Sequence, residues 1–178
     1  FDQAADKFYK TDFSRLAEIG NEGVLALLSD SANADSNEQG ASMHEAREEI
    51  LNTIADWDGR IIVAAVASNI VRIQQIFDAA EKTGRRIVLT GHDVENIVRT
   101  AIQLKKLHLV SEKLLVKPKD IAKYEDHELI ILETGRMGEP LNGLRKMAIG
   151  SHRYVEIKDG DLVYIVTTPS ISKEAVVA

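Results

Sequence analysis

The residues of this sequence best suited to chemistry stand at the ends of its apolar runs. Ser29-Asp30-Ser31 closes VLALLS, Ala67-Ser68-Asn69 closes RIIVAAVA, Thr90-Gly91-His92 closes RIVLT, Glu133-Thr134-Gly135-Arg136 closes ELIILET, and Thr167-Thr168-Pro169-Ser170 closes DLVYIVT. Hydroxyls, amides and an arginine are donors for phosphate oxygens, and a carboxylate such as Asp30 can orient a metal-bound imidazole through a hydrogen bond. Each group also has a structural reading. Ser, Asn and Gly are what helix caps and turns require, and Asp30 can close an Asx turn. Gly135-Arg136-Met137-Gly138 is equally double: its backbone N–H groups could hold a phosphate, or it is a plain tight turn. The repetition of small, polar and charged residues at five run ends is what raises a shared binding rim.

Other chemistries are excluded. The chain has no cysteine, which removes thiol catalysis, Cys-based zinc sites and redox motifs. His44, His92, His108, His127 and His152 are scattered, with no HxH, HxxxH or HExxH spacing, so they assemble no zinc site and read as exposed or capping residues. No GxGxxG follows the first apolar run, which disfavours a dinucleotide enzyme. The longest apolar run, IIVAAVA, is far short of the roughly 20 residues that a membrane span needs. The opening FDQAADKFYK has no apolar core of a secretory signal, so a cytoplasmic location is the default expectation. Because the chain starts with Phe1 rather than Met, we expect an excised piece of something longer. The net charge of -6 argues against a free nucleic-acid-binding domain, yet residues 60–117 carry 10 basic and 5 acidic groups. That middle third could present a basic face, or simply a solvated mixture of charge.

The elements that must position the rim follow from hydrophobic spacing. Residues 24–29, 60–67, 86–90 and 128–134 read as buried strands. Helices are expected over 42–57, opened by a capping-box pattern at Ser42; over 70–83, capped by Ser68 or Asn69 and closed by Gly84; over 93–107; and near 140–149 from Pro140. RYVEI (153–157) and DLVYIVT (161–167) are expected to pair as a hairpin across Lys158-Asp159-Gly160. Strand and helix alternation, with strands apolar on both faces, implies an α/β fold: a mostly parallel, Rossmann-like three-layer sheet with helices on both faces and a terminal hairpin. At 178 residues such a domain buries roughly 70% of its extended surface and needs no disulfide or structural metal. Ligands then meet the carboxyl ends of the strands, where the polar rim lies.

Four long segments carry a resemblance. LLSDSANA (27–34), RIIVAAVASNIVRIQQIFDAAEKTGRRIVLTG (60–91), ETGRMGEPLNGLRKMAIGSHRYVEIKDGDLV (133–163) and TTPS (167–170) are similar to the β-CASP region of ribonuclease J, a zinc-dependent bacterial RNA nuclease of the metallo-β-lactamase superfamily. The resemblance implies a β-CASP domain over 23–170, inserted into a metallo-β-lactamase domain to which 1–22 leads in and 171–178 returns. It implies closure over that domain's active site and clamping of single-stranded RNA, preferably with a 5'-monophosphate. Cleavage would be internal or exonucleolytic, by two zinc ions that activate a water for attack on a phosphodiester.

By position, Asp30 matches the acidic residue of the family's first β-CASP motif, beside the zinc ligands. The zinc motifs themselves would lie outside the chain, so zinc belongs to the parent and none to this piece. Thr167, Thr168 and Ser170 stand where relatives often carry Ser-Ser-Ser-Pro along the RNA path. Ser68, Asn69, Arg72, Arg136 and Arg153 complete the expected RNA contacts. Ala32, Val71, His92-Asp93 and Arg136-Met137 depart from the usual residues in the manner of the second paralogue of many Firmicutes, often the weaker nuclease. A homo- or hetero-oligomer with a ribonuclease J paralogue is expected, and no membrane partner. The alternative is a non-catalytic α/β module that serves assembly.

Overall fold

A computed structural model describes residues 11–29, 43–91, 93–135 and 141–166. The chain divides into two compact units, Phe1–Glu49 and Ile50–Ala178. In the first, helix α1 (Phe13–Glu22) opens on Asp12, whose side chain accepts from the Arg15 N–H, and stops at Gly23, where φ is 82°. Arg15 then pairs with Glu18 at 2.9 Å, one turn along the helix. The strand expected over 24–29 is absent. Val24, Leu25, Leu27 and Leu28 are exposed and enter no ladder, and an apolar run becomes a strand only where an edge pairs with it.

Helix α2 (Met43–Ala55) begins in the first unit and ends in the second. The second unit is then a parallel α/β sheet. Strand β1 (Ile61–Ala65) is buried at every position, as a strand covered on both faces must be. Helix α3 (Ile70–Thr83) is capped by Asn69, which accepts from the Arg72 N–H, and ends on Gly84 in the left-handed conformation, both as the sequence predicts. Strand β2 (Arg86–Gly91) leads to helix α4 (Val94–Gln103), whose buried stripe is Val94, Val98 and Ala101. That helix ends earlier than expected, since Lys105 adopts φ 55° and Leu104 turns outward. Three short 3-10 turns and the two-residue strand β3 (Leu115–Val116) fill the polar stretch around Pro118. Strand β4 (Leu129–Thr134), helix α5 (Leu141–Ala148) and strand β5 (Leu162–Ile165) complete the unit.

The five strands run in the order β3-β2-β4-β1-β5, and every pairing is parallel. Ile61, Val63, Ile87, Ile130 and Leu132 pack with α3, α4 and the end of α2 on one face. Ile62, Ala64, Val88, Ile131, Leu144 and Met147 pack with α5 on the other. Helices cover both faces, as expected. The terminal hairpin does not form: residues 153–157 make no strand, and β5 pairs in parallel with β1. The turn signal itself is sound, because the Asp161 N–H donates to the Lys158 carbonyl at 3.1 Å and Gly160 has φ 87°. What redirects the chain is Arg60, just before β1, which donates to the Asp161 carboxylate at 2.9 and 2.6 Å and to the Glu156 carbonyl at 2.6 Å. No helix among the described residues is long and apolar enough to cross a membrane.

Candidate functional site

Strands β2 and β4 are neighbours, yet the helices that follow them leave to opposite faces of the sheet. Such a switch leaves a crevice beyond the carboxyl ends of the two strands. Here the crevice is a cavity of about 850 Å³, lined by Thr90 and Gly91 of β2, the start of α4, Glu133 to Gly135, one flank of α5 and the loop 151–154. This is within the range of small-molecule sites, roughly 300 to 1,000 Å³.

Alternation along β4 sends Ile130 and Leu132 to the face of α3 and α4, and Leu129, Ile131 and Glu133 to the face of α5. Glu133 therefore points at α5, and Gly143 makes room for it. A β-carbon at residue 143 would fall 1.9 Å from Oε1 of Glu133, which explains why a glycine stands inside a helix despite its poor helix propensity. Glu133 is only 2% exposed, and its Oε2 has no hydrogen-bond partner. Burial pushes its carboxyl above the ordinary range, and the Thr90 hydroxyl and the Lys146 charge offset part of that.

Across the cavity, His152 holds a defined tautomer. Its Nδ1 accepts from the N–H groups of Tyr154 at 3.3 Å and Val155 at 3.1 Å, so the ring proton of the neutral form sits on Nε2. Nε2 lies 4.0 Å from Oε2 of Glu133. The two do not behave as an ion pair, because burial and then the Lys146 charge lower the His152 pKa while burial raises that of Glu133. Both are driven toward their neutral forms. At the mouth, the Arg153 guanidinium stacks over the Tyr154 ring at 5.0 Å, and that ring is 41% exposed. The cavity thus joins a buried polar pair to a rim of cations and an aromatic face.

The expected site residues divide. Arg153 lines the cavity. Ser68, Asn69 and Arg72 lie beyond β1 and do not: Ser68 is exposed, Asn69 is occupied as the cap of α3, and Arg72 donates to Gln75 at 2.9 Å while its buried Nε has no partner. Asp30, Arg136, Thr167, Thr168 and Ser170 fall outside the described residues, as does His92. Lys146, Tyr154 and His152 are members that sequence reasoning did not select, and Glu133 was read only as part of the strand-end rim, with no partner named. The available signal was a glutamate ending a run of four aliphatics.

Among the described residues no three His, Asp or Glu side chains come together as a metal site.

Residues 58–177 match the family model described as ribonuclease J, beta-CASP domain. The chain belongs to the ribonuclease J family. As a ribonuclease J sequence it is 70% identical to "Ribonuclease J 2" of Streptococcus pyogenes over its whole length, 100% of this chain and 32% of that protein. It is 37% identical to "Ribonuclease J2" of Bacillus subtilis, over 99% of this chain and 32% of the relative, and 33% identical to "Ribonuclease J 2" of Staphylococcus aureus, over 100% and 32%. These relatives fit the second-paralogue type. The chain spans about a third of the length of these ribonuclease J relatives. The match also covers every described residue of the cavity, so the cavity belongs to the β-CASP part of a ribonuclease J.

Proposed function

We propose that this chain is the RNA-clamping insert of a cytoplasmic ribonuclease J. It holds single-stranded RNA, preferably with a 5'-monophosphate, against an active site carried by a metallo-β-lactamase domain outside these residues. The observation that carries the reading is the beta-CASP match over residues 58–177, which contains a cavity with cations and an aromatic ring at its mouth. Lys146 and Arg153 supply charge for phosphates, and Tyr154 with Arg153 supplies a stacking surface, the combination that single-stranded RNA sites use. Ser68, Arg72, Arg136, Thr167, Thr168 and Ser170 extend the path, and Asp30 orients a histidine ligand of the metal. Hydrolysis is the work of zinc in the partner domain, and subunits pair with a ribonuclease J paralogue.

The test is binding of 5'-monophosphorylated oligouridylate to the full-length protein that carries this chain, followed by fluorescence anisotropy across a salt series. Lys146→Ala and Arg153→Ala are each expected to weaken binding and to lower the salt slope by about 0.7. Unchanged affinity and slope in the double variant would remove the cavity from the RNA path and leave the assembly module as the better reading.

A further inference from the structure

The loop 151–157, which brings Arg153 and Tyr154 to the cavity, is tied to α5 at its two ends. The Ser151 and His152 N–H groups donate to the Lys146 carbonyl at 2.8 and 3.0 Å, and the Ile157 N–H donates to the Met147 carbonyl at 3.2 Å. Between those ties the chain turns on one side chain. Nδ1 of His152 accepts from both the Tyr154 and the Val155 N–H, and the imidazole also meets the Tyr154 ring edge-on, with centroids 6.4 Å apart and planes at 65°. Val155 is buried in the core that α5 packs, and Tyr154 stands outward with the Arg153 guanidinium over its ring. One imidazole thus holds both the backbone and the ring of the residue that forms the aromatic face.

Only an unprotonated Nδ1 can accept, whereas a side chain that merely filled space would need no acceptor at all. Burial and the Lys146 charge both favour the neutral ring, so the acceptor is present at neutral pH. Without it, the Tyr154 and Val155 N–H groups would turn to water, and the loop would lose the bonds that select one conformation. We propose that His152 is a positioning residue of the RNA site: through Nδ1 it holds Tyr154, with Arg153 stacked on it, in the orientation that receives a base of single-stranded RNA. This inference rests on the RNA-clamping reading above and adds to it the group that sets the stacking face before RNA arrives.

Two amides separate this role from a space-filling one. His152→Asn returns an oxygen near the place of Nδ1, whereas His152→Gln carries its amide out toward the place of Nε2 and leaves the Tyr154 and Val155 N–H groups without their acceptor. Gln is the closer match in volume. A residue that only fills space is therefore better replaced by Gln, and one that holds the loop by Asn. The full-length protein is titrated with oligouridylate by fluorescence anisotropy, after circular dichroism and the thermal midpoint have shown each variant folded. His152→Gln is expected to lose roughly 10-fold in affinity, the worth of one base stacked on an aromatic ring, and His152→Asn to recover most of that loss. A cycle with Tyr154→Ala adds a readout of coupling: because His152 acts through Tyr154, His152→Gln should cost little more once the ring is gone. Hydrogen exchange on the RNA-free wild type needs no variant, and there the amides of Tyr154 and Val155 are expected to be protected. Exchange at the rate of an open loop, equal affinity of the two amide variants, or full additivity in the cycle overturns the positioning role and leaves the clamp standing. Failure of wild type to bind oligouridylate overturns the clamp itself, and this role with it.

Discussion

Glu133 and His152 stand 4.0 Å apart across the end of a parallel sheet, each held in place by something other than its partner. Glu133 is fixed by its strand and by the gap that Gly143 leaves in α5, and His152 by two backbone N–H groups on its Nδ1. A buried carboxyl without a partner is costly, and an apolar residue would serve the core better.

The stability cost of Glu133 has a definite pH dependence. Its carboxyl is raised above the usual 4.5 by burial. Well below 4.5 it is neutral in both folded and unfolded chains and costs nothing through titration. As pH rises through that value and up to the raised one, the unfolded chain ionises first and is favoured. The groups facing Glu133 are Thr90, Lys146 and His152, and all persist in a Glu133→Gln variant. That variant is therefore expected to match wild type near pH 4 and to be more stable at neutral pH, by on the order of 1 kcal/mol. Urea denaturation at the two pH values reads the difference, and an equal offset at both would show that the carboxyl's charge is not its source.

Two glycines near the cavity should respond differently to the same substitution. At Gly91, where φ is 104°, a β-carbon would lie 1.9 Å from the Thr134 carbonyl oxygen, which is backbone on the neighbouring strand. Neither the positive φ nor the clash has an inexpensive escape, and Gly91→Ala should destabilise the domain by about 2 kcal/mol or more. At Gly143 the obstruction is the end of the Glu133 side chain, which can rotate away. Gly143→Ala is expected to leave stability within about 1 kcal/mol, as improved helix propensity offsets the displaced carboxyl. Thermal unfolding of the two variants side by side decides this, and comparable losses would contradict it.

The sequence made the central layer legible because its cues are local. Ile61–Ala65 and the first four residues of β4, Leu129 to Leu132, are apolar without alternation, as buried parallel strands must be, and Asn69 and Gly84 mark the ends of α3 by their own chemistry. Strand β3, with two residues, is too short to show a period. Residues 24–29 and 153–157 have strand composition, but pairing is a property of neighbours and not of composition. The site was legible only as a rim. Its decisive contact joins residues 133 and 152 through the packing of α5, which turns the chain back so that an isolated histidine faces a buried glutamate. No spacing rule anticipates that. Of the contacts expected beyond β1, Asn69 also has a local role, since its side chain caps α3.

A buried ion pair, Arg60 with Asp161, stands where β5 meets the edge of β1. Arg60 and Asp161 have side chains 8% and 1% exposed and meet through two hydrogen bonds, while Arg60 also holds the Glu156 carbonyl and its own carbonyl accepts from the Leu162 N–H. Removing one member of a buried pair strands the other charge, which typically costs about 3–5 kcal/mol. Asp161→Ala should lose an amount of that order and loosen β5 first, because the same carboxylate also accepts from the Lys158 N–H and so shapes the turn into the strand. The comparison is Lys158 with Asp126, a pair at 2.7 Å whose side chains are 51% and 47% exposed. Solvent screening leaves such a pair about 0 to 1 kcal/mol, so Asp126→Ala should be nearly silent. The chain's single tryptophan is a convenient reporter, since the Trp57 Nε1–H donates to the Gly160 carbonyl at 3.2 Å, one residue from Asp161. Tryptophan fluorescence during urea denaturation should shift to a much lower midpoint in Asp161→Ala and hold in Asp126→Ala. Similar midpoints in the two variants would mean that the β1–β5 edge is held by its ladder and apolar contacts, with the buried pair contributing little.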